Sequence, residues 1–503
     1  MEKGIEIKLL ELKDYIKVME NTKQALDLIY WDKMVMMPKK AVEGRSEVIA
    51  HLSEQLFNLQ TSPKLKEFID YFEANFEELD KVNKSMVETL KKEYEETKKI
   101  PVSRYKEFVI LASKSEVAWE EAKEKNDFLI FKPYLEKIIE FQKEFIGYWG
   151  FKHHKYNTLL DKYEKGITVE VLDGVFGELR DALVGLLKKI KKSNLKIDSS
   201  VIKAYYPREL QKDLSLFSLD LIGFDMNAGR LDESVHPFTT NFSNKDVRLT
   251  THYYEDELLS ALFSTIHEGG HGIYEQGISD ELNGTWLAQG ASMGVHESQS
   301  RFYENIVGRS EEFLSFLFEN KIKKSFVNLE NLDFETFYKC VNKVEPSLIR
   351  TEADELTYSL HVIIRYEIEK AIFNGEVATS DLPRLWNEKY KEYLGIEPTN
   401  DSEGILQDMH WSDGSFGYFP SYALGNLYGA QFLNTMKKDI PNYKELLGNG
   451  DIKPITKWLK EKIHTHGAVY SPMELLLKVT GEKLNPKYFI DYLEEKYTKL
   501  YQV

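Results

Sequence analysis

Residues 264–277 read STIHEGGHGIYEQG and contain a His-Glu-x-x-His motif running from His267 through Glu268 to His271. On a helix, residues four apart share one face about 6 Å apart along the axis, so both imidazoles can converge on one ion. Glu268 is displaced around the helix, where its carboxylate can reach a water at the ion without ligating the ion. Two nitrogen ligands and a general base are the parts a metal-dependent hydrolase needs. Gly269, Gly270 and Gly272 flank the ligands, although each glycine costs a helix about 1 kcal/mol relative to alanine. Faces stripped in this way let another backbone, such as the 246–252 segment, or a bound peptide lie close to the helix and keep space clear beside the ion.

A catalytic site of this type takes a third protein ligand and leaves one position open. The metzincin pattern is excluded, because the positions where it carries Gly and His hold Tyr274 and Gly277. Glu275 shares the helical face but lies a further turn on, too far to close on the same ion as His267. Glu297, in VHESQSR at 295–301, follows His271 by 26 residues. That interval leaves room for a loop and a second helix returning a carboxylate to the site. His296 and Gln299 beside it read either as support for the ligands or as helix-surface residues.

The elements that must position these groups are mostly helices. Leu65, Phe68, Ile69, Phe72 and Phe76 recur at helical spacing in one charged segment, and Ile138, Ile139, Phe141, Phe145 and Trp149 do so in another. Residues 236–252, HPFTTNFSNKDVRLTTH, break the pattern with Thr, Asn and β-branched residues and predict strand and turn. The helical signal returns at 254–276, with Glu255, Asp256 and Glu257 expected in its first turn. With 14 prolines in 503 residues and no Pro/Gly/Ser-rich linker, the expectation is one mainly α body over 1–503. Its N-terminal helical part covers about 1–200, and its metal-site part covers about 201–503. The net charge of −16 repels phosphate backbones and anionic lipid, which disfavours nucleic acid and membrane partners. A single cysteine, Cys340, precludes an intrachain disulfide, and no apolar run is long enough to span a bilayer. A cytoplasmic protein is expected.

The His-Glu-Gly-Gly-His motif followed by HESQ at 296–299 resembles the carboxypeptidase Taq family of metallopeptidases. Further stretches are similar to that family: HPF at 236–238, DVRLT at 246–250, IRTEAD at 349–354 and GILQDMHW at 404–411. Trp31-Asp32 with Met36-Met37-Pro38 is similar too, so the matches run from about 31 to 422. The resemblance implies a large helical body with a deep active-site groove and a small β-sheet, as in neurolysin and angiotensin-converting enzyme. It also implies a homodimer that removes single amino acids from peptide C-termini, with zinc or cobalt as the metal. Broad specificity follows as well, with C-terminal proline disfavoured.

On that reading His267, His271 and Glu297 hold the ion and Glu268 is the general base. An oxyanion donor is expected in GYFPSY at 417–422, at Tyr418 or Tyr422. A free α-carboxylate suits the planar fork of arginine, for which Arg350 is the first candidate and Arg248 the second. Arg350 could instead pair with Asp354 four residues on, and Asp246 with Arg248, as structural ion pairs. His236, Gln407, Asp408 and His410 are expected to line the site, with Trp411 behind them. An oligopeptidase using the same centre, and a non-catalytic peptide-binding protein with a structural metal, remain as alternatives. Glu268 counts against the second, since a structural site needs no base.

Overall fold

The apolar stripe at Leu65, Phe68, Ile69 and Phe72 belongs to the helix Pro63–Ala74, where all four side chains are buried. Ser62 caps this helix by accepting the Leu65 N–H at 3.0 Å, and Pro63 occupies the first turn, where no N–H is required. Phe76 falls just beyond, in a 3-10 turn. The second stripe lies on Phe128–Trp149, with Ile138, Ile139 and Phe145 buried and Phe141 and Trp149 partly covered. The computed structural model describes residues 2–503, and helices dominate it.

Among the described residues two apolar cores form rather than one. The larger gathers residues from Ala122 to Tyr501. The smaller joins Ile5–Leu90 to Ile278, Leu282, Trp286, Leu287 and Val469. Phe128–Trp149 and the helix Val169–Lys191 bury their faces in the larger core. The smaller core is closed by residues from the chain's second half, so the first 90 residues do not complete it alone.

A three-stranded sheet lies against the motif helix. β1 (Gly229–Glu233), β2 (Thr239–Ser243) and β3 (Asp246–Thr251) are ordered β1-β3-β2, with β1 parallel and β2 antiparallel to β3. β2 and β3 fall in the segment read as strand and turn. β1 was not legible, because GRLDE is short and charged and lacks a β-branched pattern. Thr239 pairs with Leu249 and Asn241 with Val247, and alternation turns this set toward the motif helix. The intervening pair, Thr240 and Arg248, faces the other way.

The motif helix spans Leu258–Gly277 and starts after Glu257, so Glu255, Asp256 and Glu257 precede its first turn. Gly269, Gly270 and Gly272 do not open space beside the two histidines. A Cβ on Gly269 would stand 2.8 Å from Leu219 and Ile222 of the helix Arg208–Ile222. One on Gly272 would meet Phe224 at 2.6 Å and Leu249 of β3 at 2.9 Å. At Gly270 it would strike the backbone of Gln299 and Ser300 at 2.7 Å. Each glycine thus admits a neighbouring element, and only Gly272 faces the 246–252 segment.

The helix Met293–Arg301 carries Glu297 and is wedged between the motif helix and the helix Phe419–Asp439. A Cβ on Gly425 of the latter would lie 2.5 Å from Glu297 Cγ, whereas one on Gly429 would find Ser298 O at 3.4 Å and Ile306 Cδ1 at 3.7 Å. Gly429→Ala is therefore expected to be neutral or stabilising by up to ~1 kcal/mol. Gly425→Ala should destabilise by ~1–3 kcal/mol and lower metal content. Thermal unfolding and elemental analysis of the two variants check this contrast.

Candidate active site

The site is built on the line of contact between two helices. His267 and His271 project from the motif helix, and Glu297 comes back to them from the helix Met293–Arg301. One ligand atom from each lies within 4.8 Å of the others. Glu297 Oε2 is 3.8 Å from His267 Nε2 and 3.7 Å from His271 Nε2. Ligand atoms at 2.0–2.2 Å from a tetrahedral ion stand roughly 3.4 Å apart, so two nitrogens and one carboxylate oxygen fit a divalent ion such as zinc.

Each of the three side chains is held from behind. His267 Nδ1 donates to Glu304 Oε2 at 2.9 Å. His271 Nδ1 meets His296 Nδ1 at 2.6 Å, and His296 Nε2 meets Glu275 Oε1 at 2.6 Å. Glu275 is thus no ligand but the end of a Glu-His-His chain, whose other oxygen accepts the Asn241 amide of β2 at 2.8 Å. Glu297 Oε1 accepts Arg301 Nε at 2.7 Å. Glu304 sits on a π turn, Phe302–Val307, which continues the Glu297 helix, and it contacts Arg301 at 3.0 Å and Arg309 at 3.4 Å. Ser292 caps the start of the Glu297 helix at Val295 N. Buried Glu164 accepts Ser292 Oγ, Gly294 N and Tyr428 OH at 3.0, 2.9 and 2.8 Å.

Burial pushes the Glu268 carboxyl above its ordinary range, only partly offset by His267 and Thr239. The Thr239 hydroxyl on β2 donates to Glu268 Oε2 at 2.6 Å, so the edge strand aims this side chain. Burial lowers His271 well below its usual value, reinforced by His296 and His267, which keeps it neutral and fit to ligate. For His267, burial is outweighed by Glu297 and Glu304, and the imidazole is raised. Burial of Glu304 is outweighed by Arg301 and His267, which hold it well below the carboxylate range.

The remaining expected residues separate into two groups. Arg350, buried, directs Nε and Nη2 to Asp408 Oδ1 at 3.1 and 2.9 Å and Nη1 to Tyr358 OH at 3.2 Å. Its guanidinium lies 4.8 Å from the Tyr422 ring centroid. His410 Nε2 reaches Tyr422 OH at 3.2 Å, and its ring stacks on Tyr418 with centroids 5.5 Å apart. Burial, helped by Arg350 and Arg365 against Asp408, lowers His410 to about 4. The backbone N–H of Arg350 donates to Gln407 Oε1 at 3.0 Å, so Gln407, Asp408 and His410 do gather around Arg350. Trp411 donates to buried Glu369 at 2.6 Å behind them.

Other candidates lie elsewhere. Arg350 does not pair with Asp354, which caps the helix Glu355–Asn374 by accepting Leu356 N and Thr357 N at 3.0 Å. Arg248 points across the sheet, away from the motif helix. It pairs bidentately with Asp246 at 2.9 Å and lies 4.5 Å from the Trp31 ring centroid and 4.7 Å from that of Phe242. Arg248 and Asp246 thus tie the N-terminal helix Glu2–Val35 to the sheet. His236 is exposed. Gln299 does not support a ligand, because its buried amide turns to His464 at 2.9 Å.

Sequence reasoning missed Glu304, Arg301, Arg365 and Thr239. Glu297, Arg301 and Glu304 stand at i, i+4 and i+7 in HESQSRFYE, a stripe visible in the sequence. Arg365 is wholly buried and gives Nε to Asp408 Oδ2 at 2.6 Å and Nη2 to Gln407 Oε1 at 2.8 Å. No local pattern pairs residues 43 apart.

A helical body with a His₂Glu centre and an adjacent carboxylate base is the arrangement of a metallopeptidase. Residues 11–497 match the family described as carboxypeptidase Taq (M32) metallopeptidase. The chain belongs to this family and is a metallocarboxypeptidase. It is 51% identical to Carboxypeptidase 1 of Bacillus subtilis (strain 168) over 98% of both chains. It is 39% identical to Thermostable carboxypeptidase 1 of Thermus thermophilus over 94% of this chain and 95% of that one. The crystal structure of an M32 carboxypeptidase from Deinococcus radiodurans R1 superposes with a TM-score of 0.96 at 33% identity, covering 99% of this chain and 100% of that one.

Asp408 carries a further consequence. Burial raises its carboxyl, but Arg365 and Arg350 outweigh this and hold it well below the usual range. A depressed folded pKa contributes stability that is complete above the unfolded value of about 3.9 and fades as pH falls below it. Asp408→Asn is expected to cost about 3–5 kcal/mol at pH 7. The deficit should narrow below pH 4, as measured by urea unfolding of both proteins across pH.

Proposed function

We propose that this metallocarboxypeptidase releases single residues from peptide C-termini, with His267, His271 and Glu297 holding one divalent ion and Glu268 as general base. The observation that carries the reading is the convergence of those three side chains beside a carboxylate that the edge strand holds in place. Zinc suits the donor set, and cobalt, which accepts similar ligands, can substitute. Such an ion, when bound, polarises the scissile carbonyl and makes water nucleophilic near neutral pH.

The chain's own residues supply the rest. Thr239 fixes one oxygen of Glu268, and the other takes the proton of the attacking water and passes it to the leaving amine. The phenols of Tyr418 and Tyr422 are pushed up by burial and so remain hydrogen-bond donors for the developing oxyanion. Arg350 commits three N–H groups to Asp408 and Tyr358, which leaves two of its five to pair with a substrate α-carboxylate. Asp408 and Arg365 anchor Arg350, and His410 stands beside it. A substrate α-carboxylate paired with Arg350 would hold the last peptide bond at the site and make the cut exopeptidic. Specificity for the released side chain is broad. C-terminal proline is disfavoured, since its ring removes the amide N–H and fixes the backbone of the residue to be released. The whole chain works as a single domain, in a cytoplasmic homodimer. A row of exposed apolar residues on the helix Val102–Lys125, including Val109, Ile110 and Val117, supports self-association.

Two N-acetylated peptides of one sequence, one with a free C-terminus and one amidated, test the polarity of cutting by mass spectrometry. A one-residue ladder from the free acid alone is expected, and internal fragments from both would overturn the exopeptidase reading. Glu268→Gln should lower kcat roughly 100- to 10,000-fold while metal content stays at the wild-type level. Steady-state kinetics beside elemental analysis checks it.

A further inference from the structure

We propose that Arg301 makes Glu297 a one-oxygen ligand and, through Glu304, fixes the ring of His267, so that one guanidinium positions two of the three ligands. The proposal rests on the ligand reading above and assigns Arg301 as a positioning residue.

A carboxylate can meet a cation with one oxygen or with two, and the choice depends on whether its second oxygen has a better partner. In Glu297, Oε1 accepts Arg301 Nε at 2.7 Å, a charge-assisted bond in a buried setting. Only Oε2 faces the histidines, at 3.8 and 3.7 Å. The same guanidinium extends Nη1 to Glu304 Oε2 at 3.0 Å. That oxygen also receives His267 Nδ1 at 2.9 Å, so its position sets the direction of the His267 ring. The Tyr358 ring lies 4.2 Å from the Arg301 guanidinium and supports its planar face.

Arg301 is also a countercharge to Glu297 and Glu304. A lysine would restore the charge but not the fork, because one ammonium cannot serve two carboxylates in fixed directions. This separates positioning from simple neutralisation: a countercharge role is met by lysine, and a positioning role is not.

The experiment titrates Co²⁺ into metal-free protein and reads its visible absorption bands. The proteins are wild type, Arg301→Lys, Arg301→Gln, the double variant Arg301→Gln/Glu304→Gln, and Glu297→Gln. Freed from Arg301, Glu297 gains a second ligating oxygen, the coordination number rises, and the band intensity should fall severalfold in both glutamine variants at residue 301. Arg301→Lys should follow those variants. The double variant also removes the Glu304 carboxylate, which the single change leaves with Arg309 and His267 but without Arg301, so the result does not depend on the single variant folding. A wild-type spectrum in the Arg301→Gln proteins, or in Arg301→Lys, overturns the proposal. Glu297→Gln keeps the two readings apart. A wild-type spectrum there removes Glu297 from the ligand set and the proposal with it. An altered spectrum there, beside an unaltered one in Arg301→Gln, overturns the Arg301 proposal alone.

Discussion

At Gly270 the motif helix meets the Glu297 helix backbone to backbone, with no side chain between them, and Gly425 presses the same helix from its other side. A nine-residue helix is too short to persist by its own propensity, so its place is fixed by what surrounds it. The three glycines of the motif helix cost about 1 kcal/mol each. The side chains they admit, Leu219, Ile222, Phe224 and Leu249, are all buried. Each contributes roughly 1.5–3 kcal/mol by leaving water, so close packing outweighs the loss of helix propensity. The distance that brings Glu297 Oε2 to two imidazoles is set here, where a Cβ at residue 270 would act as a spacer.

From this contact the chemistry spreads outward through buried polar bonds. The two histidines are supported unequally, His267 by the anionic Glu304 and His271 by the ring of His296 with Glu275 beyond it. β2 reaches the motif helix twice, through Thr239 to Glu268 and Asn241 to Glu275, which ties Glu268 and the histidine chain to one strand. Asp408 does for Arg350 what Glu304 does for His267: a buried carboxylate, itself gripped by arginine, holds a working group in one direction.

Legibility in the sequence followed physical range. His267, Glu268 and His271 were readable because four-residue spacing places them on one face without knowledge of any other element. Glu297 was readable because 26 residues is a plausible loop and return. The helical stripe at Leu65–Phe72 was readable for the same local reason. Long-range partnerships were not. Arg350 was weighed against Asp354, its sequence neighbour, while its real partner stands 58 residues away at Asp408. The glycines were read as admitting the 246–252 segment or a peptide and as cleared space; Gly272 does admit Leu249 of that segment, whereas the elements at Gly269 and Gly270 were not readable. β1 pairs in parallel with a strand beyond an intervening strand, and five residues with a single apolar side chain, Leu231, do not announce such a pairing.

The π turn Phe302–Val307 allocates charge as well as shape. In a regular α-helix residues five apart point about 140° away from each other. Here the widened turn lets Arg309 fold back on Glu304, five residues before it, from the side opposite Arg301. The turn amounts to one inserted residue retained in the helix. Loss of a single residue between 302 and 307 would leave a sound helix with a wrong azimuth, and Glu304 would keep only one of its two cations. The length of this segment is thus as much a part of the metal centre as the identity of its side chains.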